Sequence, residues 1–245
     1  MIKTNIFIAI KINKKILLTG ILLMIMLSIL FIWKEEPLKS VFHHSFYRKV
    51  VIDPGHGGID GGTGEDFGLL EKNINLKVSL KLKKYLMDKK FKVIMTRDKD
   101  ISLEKKSHIK ASRYLKDLDA RKNIMNNNGD IFVSIHVDAH PDSIKTRGVK
   151  IYYYPTSTES KKLAQSICTS VNNRIYKRFL KTNRVQASIA PEDFYVLRET
   201  QIPGVLIEIG FITNPQERQL LRSEKYKAQI AQAICEGVSN YLKNR

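Results

Sequence analysis

The sequence predicts an α/β domain built around a largely parallel sheet and preceded by one N-terminal transmembrane helix. Along residues 48–245, short β-branched runs alternate with longer polar–apolar segments, as in chains built from βα units. An uncharged run at 16–33 stands before this region. The length of 245 residues suits one sizeable domain with an appendage, and a hydrophobic fraction of 43% excludes a disordered chain or a polytopic membrane protein.

Residues 16–33 are the predicted membrane anchor. As a helix, these 18 uncharged residues would measure about 27 Å, close to the thickness of a bilayer core. The lysine-rich residues 1–15 are expected in the cytoplasm, so that everything after Trp33 lies outside. A cleaved signal peptide is the alternative, but residues 31–34 offer no small-residue cleavage site. Residues 34–47 read as a linker.

The folded domain is predicted over 48–245, with strands and helices in alternation. Candidate strands are 49–53, 91–96, 131–137, 149–154 and 204–209. Candidate helices are 71–88, 115–127, 159–174 and 226–242. The first of these helices also alternates like a strand, but it is too long for one and lacks Gly and Pro.

The net charge of +18 favours anionic partners. Setting aside residues 1–36, which hold five Lys and two Glu, still leaves +15. Lysines are scattered along the whole chain, and no RNA-binding or helix-turn-helix signature occurs, so we expect no nucleic-acid partner. The two cysteines, Cys168 and Cys235, lie among apolar residues at helical spacing and are interpreted as small core residues, with a disulfide as the alternative.

The first two candidates for catalytic or metal-binding residues are a histidine in a glycine-rich turn and a glutamate at the start of a predicted helix. His56 lies in a glycine-rich turn directly after a hydrophobic strand, where the backbone can approach a ligand closely. The turn lacks the spacing of a phosphate-binding loop. Asp53, at the end of the same strand, is either a supporting residue or a turn residue. Glu71 begins a predicted helix, where a carboxylate often only complements the helix dipole.

Two further candidates lie in buried strands. His136 comes at the C-terminal end of its strand, the edge at which α/β sheets bind ligands, whereas His140 lies beyond the strand and ranks below it. Glu208 stands amid apolar residues, and burying an unpaired carboxylate is costly, so we expect it to have a partner or a chemical role.

His56, Glu71, His136 and Glu208 together match the needs of a catalytic zinc site. Such a site uses three protein ligands, an open position and a base, and imidazole and carboxylate groups suit Zn²⁺. No cysteine stands near these residues, which argues against a closed structural site.

Four segments occur in the order GHGGIDGG, LLEKN, SIHVDAH and PGVLIEIGFITN, and this series resembles the four motifs of the zinc-dependent N-acetylmuramoyl-L-alanine amidase family, type 3. The resemblance implies zinc ligands at His56, Glu71 and His136, a catalytic Glu208, and a three-layer sandwich around a six-stranded, mostly parallel sheet. It also implies hydrolysis of the amide between N-acetylmuramic acid and L-alanine in peptidoglycan. Asp138 departs from the asparagine common after the second histidine, which leaves its role open.

Among family branches, the chain is most similar to the spore-cortex, germination-associated amidases, in which the product enters muramic lactam formation. This implies a membrane-anchored enzyme with its catalytic domain outside the cytoplasm, in the cell wall or the spore intermembrane space, and leaves room for an accessory activator protein. Arg97, Arg121 and Arg147 are candidates to hold stem-peptide carboxylates. The rival hypotheses are another zinc peptidase acting on stem peptides and a non-catalytic wall-binding protein.

Overall fold

The N-terminal unit contains one long helix. The computed structural model describes residues 13–43 and 48–244, and contacts divide the chain into Met1–Tyr47 and Arg48–Arg245. Helix α1 spans Lys14–His43, so it contains the predicted anchor and continues into the predicted linker. Within the residues described, however, no helix is both long and apolar enough to cross a bilayer. The structure therefore does not support the predicted transmembrane helix at 16–33.

A six-stranded sheet forms the centre of the second unit. Its strands are β1 Lys49–Pro54, β2 Lys92–Met95, β3 Ile131–Asp138, β4 Lys150–Tyr153, β5 Ser188–Pro191 and β6 Gly204–Phe211. They lie in the order β2-β1-β3-β6-β4-β5, and every neighbouring pair is parallel except β4 and β6. The prediction of an α/β fold with a mostly parallel six-stranded sheet is confirmed.

Helices cover the sheet. They are α2 Glu71–Asp88, α3 Arg113–Asn128, α4 Thr158–Val171, α5 Tyr195–Arg198, α6 Pro215–Arg222 and α7 Glu224–Lys243. A π-helical segment, Asn172–Phe179, continues α4, and 3-10 turns occur at Glu65–Phe67 and Glu104–Lys106. Helices α3, α4 and α7 are capped by the serine before their first residue, and each serine accepts a hydrogen bond from the backbone N–H three residues on: Ser112, Ser157 and Ser223.

The two faces of the sheet bury different strand residues. Helices α2 and α4 pack on one face together with α7, which contacts both of them, while α3 and α5 pack on the other. Along β1, Val50 and Ile52 join the larger apolar cluster under α2, α4 and α7, whereas Val51 joins a smaller cluster with α3 and α5. This alternation is the period of two expected for a strand buried on both faces.

Both cysteines lie in or near the larger apolar cluster. Cys235 on α7 is buried, and Cys168 on α4 is half-buried and packs against the same cluster. Both thiols are free, as the interpretation of small core residues requires.

Candidate metal centre and active site

His56, Glu71 and His136 converge from three separate elements. They come from the turn after β1, the start of α2 and the C-terminal half of β3. One ligand atom from each of the three lies within 4.8 Å of the others, and the two imidazole centroids are 5.0 Å apart. His140, which the sequence ranked lower, is exposed beyond β3 and is not part of this group. The structure thus brings together the three residues that the sequence selected as ligands.

The turn that carries His56 allows this convergence because of its glycines. A Cβ added at Gly55 would lie 2.2 Å from Cε1 of His136, and one at Gly62 would lie 2.5 Å from Oε2 of Glu71. Gly62 also has a φ of 69°, and His56 itself has a φ of 60°, a left-handed conformation uncommon for a residue with a side chain. The glycines therefore give the backbone the space and the shape that the cluster needs.

Glu71 is the centre of the hydrogen bonds in the cluster. Its Oε1 lies 3.2 Å from Nε2 of His56 and 3.0 Å from Nδ1 of His136. Backbone N–H groups of Val137 and Thr63 donate to Oε1 and Oε2, each at 3.0 Å. Burial raises the pKa of Glu71, but the hydrogen bonds to His136 and His56 outweigh it and hold the pKa well below its usual range. Glu71 is therefore ionised, as a metal ligand must be.

Asp60 orients His56 and was not singled out from the sequence. Its Oδ2 lies 2.8 Å from Nδ1 of His56, which leaves Nε2 of that ring facing Glu71. Burial lowers the pKa of His56, but Glu71 and Asp60 together raise it above its usual value. A carboxylate on the second imidazole nitrogen is typical support for a metal-binding histidine. The signal in the sequence was an acid four residues after the histidine in the same turn.

Glu208 lies beside His136 in the sheet. The two residues are register partners on neighbouring strands β3 and β6 and line the same cleft. Among the residues the structure describes, no group forms a hydrogen bond with the buried Oε2 of Glu208. Burial, reinforced by the negative charges of Glu71 and Asp138, raises its pKa well above the usual range. Such a carboxyl group is suited to accepting and returning a proton.

Asp53 is a supporting residue, which the sequence had left undecided. One of its oxygens accepts hydrogen bonds from Thr96 (2.6 Å) and Arg121 (2.7 Å), and the other accepts one from Ser134 (2.7 Å). Burial raises the pKa of Asp53, but the Arg121 charge and the two hydroxyl groups bring it below its usual value. The buried charge is therefore fully paired.

Arg97 and Arg121 fix the turn that carries His56. Arg121 donates to the backbone carbonyls of Pro54 (2.8 Å) and His56 (2.7 Å). Arg97 donates to those of Pro54 (2.9 Å) and Gly55 (2.8 Å). The two guanidinium groups thus hold three successive carbonyls of the turn.

These contacts argue against the predicted role of the arginines in binding stem-peptide carboxylates. Arg97 and Arg121 are each 2% exposed, and carbonyls and carboxylates of the protein take up their donors. Arg147 is exposed and donates to the side chain of Gln216. For Arg97 and Arg121 burial explains the error, because a sequence does not reveal whether an arginine faces solvent, whereas the role of Arg147 stays a prediction.

The cleft opens between α3 and the α5 region. The residues that line it on these two sides include Tyr114, Asp117, Leu118, Phe194, Tyr195 and Val196. Tyr114 and Phe194 are exposed, while Glu208 and His136 lie at its floor. A substrate bound between these walls would meet the metal-ligand cluster and Glu208 together.

Comparisons with known proteins identify the family of the chain. A family model described as N-acetylmuramoyl-L-alanine amidase matches residues 50–240. The germination-specific N-acetylmuramoyl-L-alanine amidase of Bacillus subtilis is 34% identical over 197 residues, which cover 79% of each chain. The probable cell wall amidase LytH of Staphylococcus epidermidis is 36% identical over 210 residues, which cover 85% of this chain and 60% of that one.

A solved structure is similar over the same region. The CwlD amidase from Clostridioides difficile, determined in complex with the GerS lipoprotein, superposes with a TM-score of 0.72 and 36% identity, covering 81% of this chain and 100% of that one. The family model and the relatives extend over most of the second unit. The chain therefore belongs to the N-acetylmuramoyl-L-alanine amidase family, whose members hydrolyse the amide between N-acetylmuramic acid and L-alanine in peptidoglycan, as its four motifs predicted.

Proposed function

We propose that the chain is a zinc-dependent N-acetylmuramoyl-L-alanine amidase in which His56, Glu71 and His136 bind the ion and Glu208 is the general base. The observation that carries the proposal is the convergence of the three ligand atoms within 4.8 Å, beside Glu208 on the neighbouring strand, whose buried Oε2 has no hydrogen-bond partner among the described residues. Hydrolysis needs both the ligand cluster and Glu208. A water molecule activated by a metal must lose a proton, and the base accepts that proton.

The residues of the cluster fit zinc by their chemistry. Two imidazole nitrogens and one carboxylate oxygen form the ligand set of many catalytic zinc sites, and they leave a coordination position open. A zinc ion would supply polarisation of the amide carbonyl and activation of a water molecule. Asp60 orients His56, and the N–H groups of Thr63 and Val137 orient Glu71, so the ligands are held in place by the fold.

Glu208 performs the proton transfer in this proposal. Its carboxylate accepts a proton from the attacking water while the water oxygen bonds to the carbonyl carbon. The carbon–nitrogen bond then breaks, and Glu208 returns the proton to the nitrogen of L-alanine. The products are a free lactyl carboxylate and a free stem peptide. A pKa above the usual carboxyl value suits a group that must both take and give a proton.

We also propose a role in maturation of the spore cortex. The relative from Bacillus subtilis is germination-specific, and the CwlD amidase from Clostridioides difficile was solved with a lipoprotein bound. Both relatives support a catalytic unit that works outside the cytoplasm, and the complex of CwlD with GerS supports an accessory protein as partner. The division into a cytoplasmic segment 1–15, a membrane anchor 16–33, a linker 34–47 and a catalytic domain 48–245 remains a proposal from the sequence.

Digestion of purified peptidoglycan tests the activity. The full chain, incubated with sacculi, should release whole stem peptides and leave glycan strands with unsubstituted muramic acid, as seen by mass analysis of the products. A chelator should abolish release, and added Zn²⁺ should restore it. Shortened stems still attached to the glycan would identify a peptidase, and intact sacculi at full zinc occupancy would indicate a binding protein.

Cell fractionation tests the location. The full chain should be found with the membrane and be accessible to protease added from outside, whereas a version with three leucines of 16–33 replaced by lysine should leave the membrane fraction. Equal distribution of the two versions would contradict the anchor.

A further inference from the structure

Lys150 lies in the same row of side chains as the predicted catalytic residues. Glu208 on β6 has two register partners, His136 on β3 and Lys150 on β4. Residues directly opposite each other on neighbouring strands project from the same face of the sheet. His136, Glu208 and Lys150 therefore follow one another across three strands, with Glu208 between the metal-ligand cluster and the lysine.

The ammonium group of Lys150 has no hydrogen-bond or ion-pair partner in the part of the chain that the structure describes. Its Nζ lies 5.3 Å from the ring centroid of Phe211. The side chain is half-buried, and its charge acts on both Glu208 and Asp138. By contrast, Arg97 and Arg121 are fully engaged with the turn, so Lys150 is the cation next to Glu208 that remains available to a substrate.

The direction of the reaction places the peptide on the side of Lys150. Glu208 must touch the departing nitrogen, and the stem peptide extends from that nitrogen. The acyl half of the substrate must approach the cluster of His56, Glu71 and His136, so the peptide half extends beyond Glu208. On the α3 side the cleft is lined by Asp60, Asp117 and the buried Arg121, whose donors bond to the protein, so its lining there offers an anionic peptide no available cation.

We infer that Lys150 binds a carboxylate of the stem peptide and thereby selects substrates whose second stem residue carries a free carboxylate in place of a carboxamide. The inference rests on the proposed amidase function and names a specificity residue for it. An ammonium group pairs with a carboxylate through charge-assisted hydrogen bonds, which a neutral carboxamide does not match.

Kinetics with two matched muropeptides test the inference. One substrate carries a free carboxylate at the second stem residue, and the other carries a carboxamide. In the full chain, Lys150→Gln should lower kcat/KM for the first substrate about tenfold more than for the second, mainly through KM, because any effect of the lost charge on Glu208 falls on both substrates alike. Lys150→Arg should keep most of the preference. Lys92→Gln, the same change at an exposed position of the edge strand β2, should change KM for neither substrate.

Binding of the product peptide separates this inference from the proposed function. Calorimetry with the free stem peptide should show about tenfold weaker binding to Lys150→Gln than to the wild-type chain, and no such difference with the carboxamide peptide. If the wild-type chain cleaves neither muropeptide, the proposed function is wrong, and calorimetry still decides the role of Lys150. If Lys150→Gln lowered kcat/KM equally for both substrates, or lowered kcat without raising KM, the carboxylate-binding role would be overturned.

Discussion

The two faces of the sheet differ in character, although the same strands build both. The face under α2, α4 and α7 is an apolar core. The opposite face, at the ends of β1, β3 and β6, presents Asp53, His136 and Glu208. Within β1, Ile52 belongs to the first face and the adjacent Asp53 to the second. One strand thus supplies stability and chemistry at alternate positions, because successive side chains point to opposite faces.

The two faces should therefore respond differently to substitution. Contacts on the apolar face are non-directional, so the cost of a change depends on the volume removed. At the end of the opposite face that holds Asp53, His136 and Glu208, a change leaves a buried donor, acceptor or charge without its partner. Four predictions test this contrast, in order from the largest expected effect.

Glu208→Gln should lower kcat by a factor of roughly 10² to 10⁴, because the proton acceptor is lost. Zinc content and the midpoint of thermal unfolding should not fall, since Glu208 is outside the proposed ligand set and burying a neutral amide costs less than burying a charge. Ile207→Val, one residue away on the apolar face, should leave kcat unchanged and reduce stability by about 0.5–1.5 kcal/mol. Wild-type turnover in Glu208→Gln would refute the assignment of the base.

His136→Ala should weaken zinc binding by about 100-fold or more, measured by competition with a chelating dye, since loss of supporting groups alone costs 10- to 100-fold. His140→Ala is the matched control, because this exposed histidine is outside the cluster, and it should bind zinc as the wild type does. A larger loss in His140→Ala than in His136→Ala would reverse the assignment of the ligand.

Arg121→Met should reduce the free energy of unfolding by about 3–5 kcal/mol, because it leaves Asp53 buried with its charge unpaired. Leu82→Ala, at a fully buried position on the apolar face, should cost a similar 2–5 kcal/mol through loss of packing. Denaturant unfolding separates the two mechanisms. Adding Asp53→Asn to Arg121→Met should recover part of the loss, whereas adding it to Leu82→Ala should not.

The smallest expected effect is the pH dependence due to Asp53. Because the pKa of Asp53 in the folded chain lies below its usual value, its ionised form stabilises the fold above about pH 4, and this contribution disappears as pH falls through the folded-state pKa. The stability difference between the wild type and Asp53→Asn should therefore shrink in acid. The difference between the wild type and Leu82→Ala should stay constant, and a parallel decline of both would contradict the contrast.

The sequence predicted the elements whose signals are local. Glu208 stood out because it is an acid within an apolar run, and His136 because it ends a buried strand. By contrast, β5 and the single-turn α5 were missed, since four residues are too few to display a period. Helix α6 was also missed, although Asn214 caps it and Pro215 begins it, a recognisable start signal.

The roles of the supporting residues could not be predicted because they depend on distant contacts. Asp53 and Arg121 are separated by 68 residues and meet only in the folded domain. Arg97 looks like a surface cation in the sequence, yet it lies buried beneath the turn that carries His56. The roles of such side chains depend on tertiary contacts, and no local sequence pattern identifies them.

The missing side chain at Gly55 has a consequence for identifying inactive homologues. A single methyl group there would occupy the space of the His136 ring, with only 2.2 Å between their atoms. A related chain could therefore keep both histidines, the glutamate ligand and the base and still be unable to load an ion, merely because alanine has replaced this glycine. Screening genomes for silent wall-binding relatives should accordingly examine this small residue first.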